Sequence, residues 1–529
     1  MPSRYSVIQA VVVGYAVGVG YAHSTSTFQW PNAQLSYVDK QLWEGFLPGL
    51  VAQCAPRGNT TAYHDMSTHN VDDGSGGLDA SIQFELDRAQ NIGQGMIESL
   101  NDFSGFEIVA PMFGMADLIA LGAIFAVAGC GGPLIPFRAG RVDATEAGPP
   151  NVPEPQQDLA THTEMFRQMG FNDTEMIALV ACGHTIGGVT QVDFPTIVMD
   201  PEDSFVGFDT TTAFDNTIIS QYLQNTTEDV LVVGPNVTTR SDFRIFSSDG
   251  NATMQSLLNP GTFTQTCADL IERMINTVPN GVSLTDPFSE PFDYVVSEPV
   301  FSYRNGTLAM VTTLRVLNPS VNATVTLLWA DREGSFCPST GCSVESFGTQ
   351  PVTFRLTELG IYLGFTAERY EFNATINVAT SISKFWFEIN NNDGSDPITV
   401  DNGGGGFVIE QDSLFFDNGR TVAVSLTPSF EEFFRLVIAV RGDTTATVSM
   451  TAFDPRPTAF SPPSFPVITT VDLILDETNP PDNGFVFFTG NASITTNFIS
   501  LTATSGGTTY TQTNFDMSAT NFSLVEVSA

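Results

Sequence analysis

Five histidines stand in this chain, at positions 23, 64, 69, 162 and 184, and two of them keep company suited to proton transfer or metal binding. His64 lies in AYHDMSTHN, beside Asp65 and five residues before His69. Imidazole titrates near neutrality, and its unprotonated nitrogen binds metals. His184 falls near the end of ALVACGHTIGG, among small residues that let something flat come close. A lone histidine is most often a satisfied core or surface residue. A divalent-metal site built from His64, Asp65 and His69 is disfavoured, because HDxxxH is poor zinc grammar.

The elements that must hold these residues divide near residue 290. Before it, helical signals dominate. PMFGMADLIALGAIFAVAG (111–129) reads as a buried helix, apolar nearly all round but too short and Gly-punctuated to span a membrane. NDTEMIALVACGHTIGG (172–188) opens on Asn172 with Glu175 three residues later, a capping-box arrangement, and ends at Gly187-Gly188. TCADLIERMINTVPNG (266–281) reads as another helix, stopped by Pro279 and Gly281. After residue 290 the period changes to two. NATVTLLWA, TVAVSLTP, FRLVIAVRG and ATVSMTAFD alternate apolar and polar residues between Asn, Gly and Asp turns. The fold class expected is therefore multidomain: mainly α-helical to about 285, then an all-β, antiparallel sandwich-like region over 290–529, as one sandwich or two.

Composition bounds the partners. The chain has 529 residues, 42% of them hydrophobic, and a net charge of −38; Lys40 and Lys384 are its only lysines. Such a polyanion repels nucleic acid and anionic lipid. Residues 1–22 carry Arg4, an apolar run and small residues before His23, the pattern of a secretory signal peptide. Ten sequons, at Asn59, Asn172, Asn225, Asn236, Asn251, Asn305, Asn322, Asn373, Asn491 and Asn521, and an even count of six cysteines suit an oxidising, extracellular compartment. CPSTGC (337–342) reads as a local loop staple.

Taken together, AYHDMSTHN, GGLDASIQFELDRAQNIGQ, ADLIALGAIFAVAGCGGP, PFRAGRVDA and ALVACGHTIGG resemble, in order and spacing, the plant, fungal and bacterial haem peroxidase superfamily over residues 28–285, most closely its secreted fungal hybrid-type members. The resemblance implies haem b, hydrogen peroxide and a small aromatic or phenolic donor. It implies His184 as the iron ligand and Asp249, in FRIFSSDGN, as the carboxylate that accepts the ligand's other ring proton. Such a bond gives imidazolate character and favours O–O cleavage. It implies His64 as the acid–base group and Asn91 as the residue fixing its tautomer. Asp65, Gly77, Asp79 and Ser81 would form one calcium site, and Thr185, Asp209, Thr211 and Asp215 a second. Cys54 and Cys130 would pair; Cys182 and Cys267 are left, with a bond between them open. The β-rich region lies outside the resemblance and is assigned a glycan or protein ligand.

The chain also departs from the pattern. The family's arginine, four residues before the acid–base histidine, is Thr60 here, and Arg57 stands seven residues back. Gly58, Thr60 and Thr61 argue against a long helix at that point. Loss of such an electrostatic group costs about a hundred- to a thousandfold in rate. The alternative is therefore a catalytically weak haem-binding paralogue serving as an extracellular scaffold. Tyr63 replaces an aromatic Phe or Trp, and Leu179 takes the place of a surface radical tryptophan. Gln53, Arg57 and Thr190 occupy positions that are manganese-binding acids in some relatives.

Overall fold

A computed structural model of the chain describes residues 33–44, 57–104, 114–199, 201, 204–335, 342–354, 364–442, 444–454, 466–517 and 522–528; for residues 33–35, 57–60 and a few single positions it describes the backbone alone. Residues 1–22, where a signal peptide is expected, and Gln53, Cys54, Cys337 and Asn521 lie outside these residues.

Helices α1 (Ala33–Trp43), α2 (Arg57–Met66), α3 (Gln94–Ser104), α4 (Met115–Gly129), α5 (Leu159–Gln168) and α6 (Asp173–His184) build the first half. The helix α2 forms in spite of Gly58 and the two threonines. Thr61, Ala62, Asp65 and Met66 are all fully buried on it, and that burial outweighs the modest propensity cost of glycine and β-branched residues. Helix α4 is buried from Met115 to Ala128, as its all-round apolar sequence dictates. The Asp143 carboxylate accepts from the backbone N–H groups of Met115 (2.8 Å) and Ala116 (2.9 Å), two donors the helix itself leaves open. Helix α6 carries the expected capping box of Asn172 and Glu175, and it ends at His184, short of the two glycines. The chain then forms a two-stranded ribbon of Gly188–Thr190 and Phe205–Gly207.

Short helices α7 (Thr217–Gln224), α8 (Val230–Val233), α9 (Ser241–Phe246) and α10 (Ala252–Ser256) lead to α11 (Pro260–Ile275). Helix α11 begins six residues before the expected start, at Pro260 behind an Asn259 cap, and ends at Ile275 rather than at Pro279. The Cys182–Cys267 disulfide ties α6 to α11, settling the pairing the sequence left open. Cys130 is also disulfide-bonded.

From Tyr294 onward the described residues are strands and turns. A thirteen-stranded and a five-stranded sheet hold them, with mostly antiparallel pairing. Two pairings depart from the expected antiparallel pattern: Leu414–Asp417 runs parallel to Tyr294–Arg304, and Val422–Thr427 parallel to Ser523–Ser528. The central strand Glu431–Arg441 buries every residue from Leu436 to Val440. Val437 and Ala439 join one hydrophobic core and Leu436, Ile438 and Val440 another. Period-two alternation thus serves a sheet covered on both faces. The first of these cores runs on into the helical half.

That junction is also ionic. The Arg315 guanidinium, 1% exposed, donates to Asp39 of α1 (2.5 Å), to Glu44 (3.0 Å) and to the Phe292 carbonyl (3.0 Å). A buried arginine is tolerable only when so paired.

Candidate active site

A cavity of about 470 Å³ opens between α2, α5, α6 and the ribbon, and both His64 and His184 line it. His64 comes from the last turn of α2. Its Nδ1 lies 2.9 Å from Oδ1 of Asn91, in the short 3-10 turn Ala89–Asn91. The Asn91 amide is oriented in turn, since its nitrogen donates to the carbonyl and carboxylate of Glu85, each at 3.3 Å. Glu85 is fixed by the Gly148 N–H (2.8 Å) and by Arg88 (2.8 Å). With the amide nitrogen so committed, Oδ1 faces the ring and Nδ1 carries the proton. The Nε2 lone pair is left free. Burial holds the His64 imidazole below its ordinary pKa; Asn91 opposes this shift and the nearby His184 adds to it.

His184 is the last residue of α6. Its Nδ1 meets Oδ2 of Asp242 at 2.6 Å, and its ring stacks on Phe208 with centroids 4.1 Å apart. Asp242 sits in the first turn of α9, 1% exposed, its other oxygen accepting from the Ser241 hydroxyl at 3.1 Å. The Asp249 expectation is therefore corrected. Asp249 is exposed on the turn after α9, where its Oδ2 accepts from the Thr253 N–H (2.9 Å) and hydroxyl (2.6 Å). Ser-Ser-Asp-Gly-Asn is turn chemistry, which places such an aspartate in water. Asp242, seven residues earlier in SDFRIF, opens a short helix whose Ile245 and Phe246 are buried, and that apolar pair was the available signal.

Sequence reasoning also missed Asp229 and His162. Asp229 is fully buried ahead of α8. One oxygen accepts from the Leu231 N–H (2.8 Å), and the carboxyl also meets that of Asp242. Burial, with Asp242 next, pushes its carboxyl well above the usual range. His162, on α5, lines the cavity; its Nε2 lies 2.9 Å from the Glu154 carbonyl and its buried Nδ1 has no partner. Tyr63 packs edge-on to His64, and Leu179 and Thr190 line the cavity. The α2 backbone sets residue 60 one turn before His64 and residue 57 two turns before it, on the same face.

The four residues of the first expected calcium site fall together. Asp65 is fully buried, its oxygens accepting from the N–H groups of Ala80 (2.7 Å) and Ile82 (2.9 Å). Burial and the neighbouring Asp79 push its carboxyl well up. The Ser81 hydroxyl is buried without a partner, and the Gly77 carbonyl accepts from the Asp79 N–H. In the second set Thr185 bonds the Asp215 backbone, and Asp209 Oδ1 accepts from the N–H (2.7 Å) and hydroxyl (3.1 Å) of Thr211. Asp209 Oδ2 is buried without a partner. Among the described residues no group of three or more His, Cys, Asp or Glu could hold a metal ion.

Comparison with known proteins agrees with this geometry. Residues 44–259 match the family model described as peroxidase. A WSC domain-containing protein of Arthroderma benhamiae is 39% identical over 339 residues, which cover 61% of this chain and 45% of that protein. L-ascorbate peroxidase 5, peroxisomal, of Arabidopsis thaliana is 35% identical over 136 residues, 25% of this chain and 48% of that one. The mitochondrial cytochrome c peroxidase of Yarrowia lipolytica is 32% identical over 130 residues, 24% and 38% respectively. The chain spans less than half the length of each of these relatives. Over residues 44–259 the helical half of this chain is therefore similar to the haem peroxidase superfamily.

Proposed function

We propose that the protein is a secreted haem peroxidase that reduces hydrogen peroxide and oxidises small aromatic or phenolic donors. The observation that carries this reading is the pair of differently partnered imidazoles lining one cavity, His64 on the Asn91 amide and His184 on the Asp242 carboxylate.

The residues fit haem b. Asp242 accepts a hydrogen bond from Nδ1–H of His184, which would leave Nε2 to hold iron. Gly183, which lines the cavity beside it and has open space where a Cβ would stand, leaves room for a flat ring. Haem, when bound, supplies an iron that is oxidised by peroxide and re-reduced one electron at a time. The protein moves the protons. His64 Nε2 takes one from the near oxygen of the peroxide and returns it to the far oxygen, so that water can leave. Asn91 keeps the Nδ1 proton in place throughout. Each donor, ArOH, then yields one electron and one proton, and the sum is H2O2 + 2 ArOH → 2 H2O + 2 ArO•.

Calcium ions at the two sites complete this reading. Two carboxylates with hydroxyl and carbonyl oxygens suit a hard cation, and the partnerless oxygens of Ser81 and Asp209 are donors such ions would use. A second reading, a haem-binding scaffold of low activity, is favoured by Thr60 at the position of the expected arginine. Stopped-flow mixing of the haem-loaded protein with peroxide separates the two. A prompt Soret shift supports the enzyme, and a stable resting spectrum supports the scaffold.

A further inference from the structure

We propose that the rim of this cavity selects aromatic donors bearing a positive charge, with Asp193 as the selecting residue; this rests on the peroxidase reading above. The rim is built where the ribbon meets the segment following Asn91. Phe205, 53% exposed, lays its ring across Gly188, its Cζ 2.7 Å from where a Cβ on that glycine would stand. Ile92, lining the same cavity, is 42% exposed, and Oδ2 of Asp193 stands 3.3 Å from where a Cβ on Gly93 would be. All of these residues line the cavity. An exposed aromatic ring, an exposed aliphatic chain and a carboxylate thus share one entrance.

The charge balance is one-sided. No lysine or arginine appears among the described residues that line the cavity, whereas Glu154, Asp193 and Asp242 do. Asp242 is committed to His184. No ion pair or side-chain hydrogen bond with the described residues engages the Asp193 carboxylate. The whole chain carries a charge of −38, which adds a long-range field of the same sign. A flat donor can stack on Phe205 and Ile92 while its ammonium group meets Asp193. An anionic donor meets only repulsion.

Three phenols with one reacting group test this: tyramine, 4-ethylphenol and 4-hydroxyphenylacetate. Each gives up one electron and its hydroxyl proton, so charge is the main variable. In the full-length, haem-loaded protein, equilibrium binding and kcat/KM should rank tyramine first and 4-hydroxyphenylacetate last, about three- to tenfold apart. Added salt should slow tyramine and speed the anion. Asp193→Asn should shrink the cation-to-anion ratio toward one. Equal binding of all three, a preference for the anion, or a ratio unmoved by both salt and the substitution overturns the proposal. If no phenol is oxidised, the peroxidase reading fails, and the order of binding alone still decides this one.

Discussion

The two sides of the cavity hold the same side chain in different company. On one side an amide oxygen accepts the His64 ring proton; on the other a carboxylate accepts that of His184. The neutral acceptor fixes a tautomer and only partly offsets the lowering by burial, which holds that imidazole below its ordinary pKa. The charged acceptor draws the proton toward itself and makes the ring a stronger metal donor. On the proposed function, one partner atom would therefore separate the group that releases protons from the group that holds iron.

Substitutions that erase or exchange the two partners test this contrast. His184→Leu should remove haem altogether, read as loss of the Soret band. His64→Leu should keep the band and slow the reaction with peroxide by about a hundred- to ten-thousandfold. Asn91→Leu and Asp242→Asn should each cost about ten- to a hundredfold, the first in peroxide rate and the second in haem affinity or activity. Asn91→Asp, which copies the His184 side onto the His64 side, should move the pH profile. His64 works only when neutral, so the wild-type rate should fall with acid only as pH passes below the ordinary value of about 6.5. A carboxylate partner favours the imidazolium, so in the variant the fall should begin at higher pH. Calcium removal by a chelator should lower the thermal midpoint, since a ligand at a hundred times its Kd contributes about 2.7 kcal/mol. Asp249→Asn should leave Soret band and rate unchanged, because Asp249 only binds Thr253 on an exposed turn.

Legibility in the sequence tracked how local each signal was. The capping box of α6, the all-apolar α4 and the change to period two near residue 290 each depend on neighbours in sequence, and each appears in the structure. His64 and Asn91, 27 residues apart, came together because the resemblance spans both blocks. Asp242 did not, because two aspartates seven residues apart compete for one role and only tertiary packing chooses between them. The expectation against a long helix before His64 has a related lesson: propensity disfavours Gly58 and Thr61, yet burial of Thr61, Ala62 and Met66 carries a ten-residue helix through them. The sheet covered on both faces escapes a reading of FRLVIAVRG as alternating, because Leu436–Val440 is a continuous apolar run that suits a strand buried on both sides.

The most direct test is the visible spectrum of the purified, haem-supplied protein, taken at rest and then with one equivalent of hydrogen peroxide. The two-imidazole cavity predicts a Soret band in the wild type, its absence in His184→Leu, and a prompt shift with peroxide that His64→Leu largely abolishes. A wild-type protein with no Soret band, or a His184→Leu protein that keeps a full one, contradicts the account.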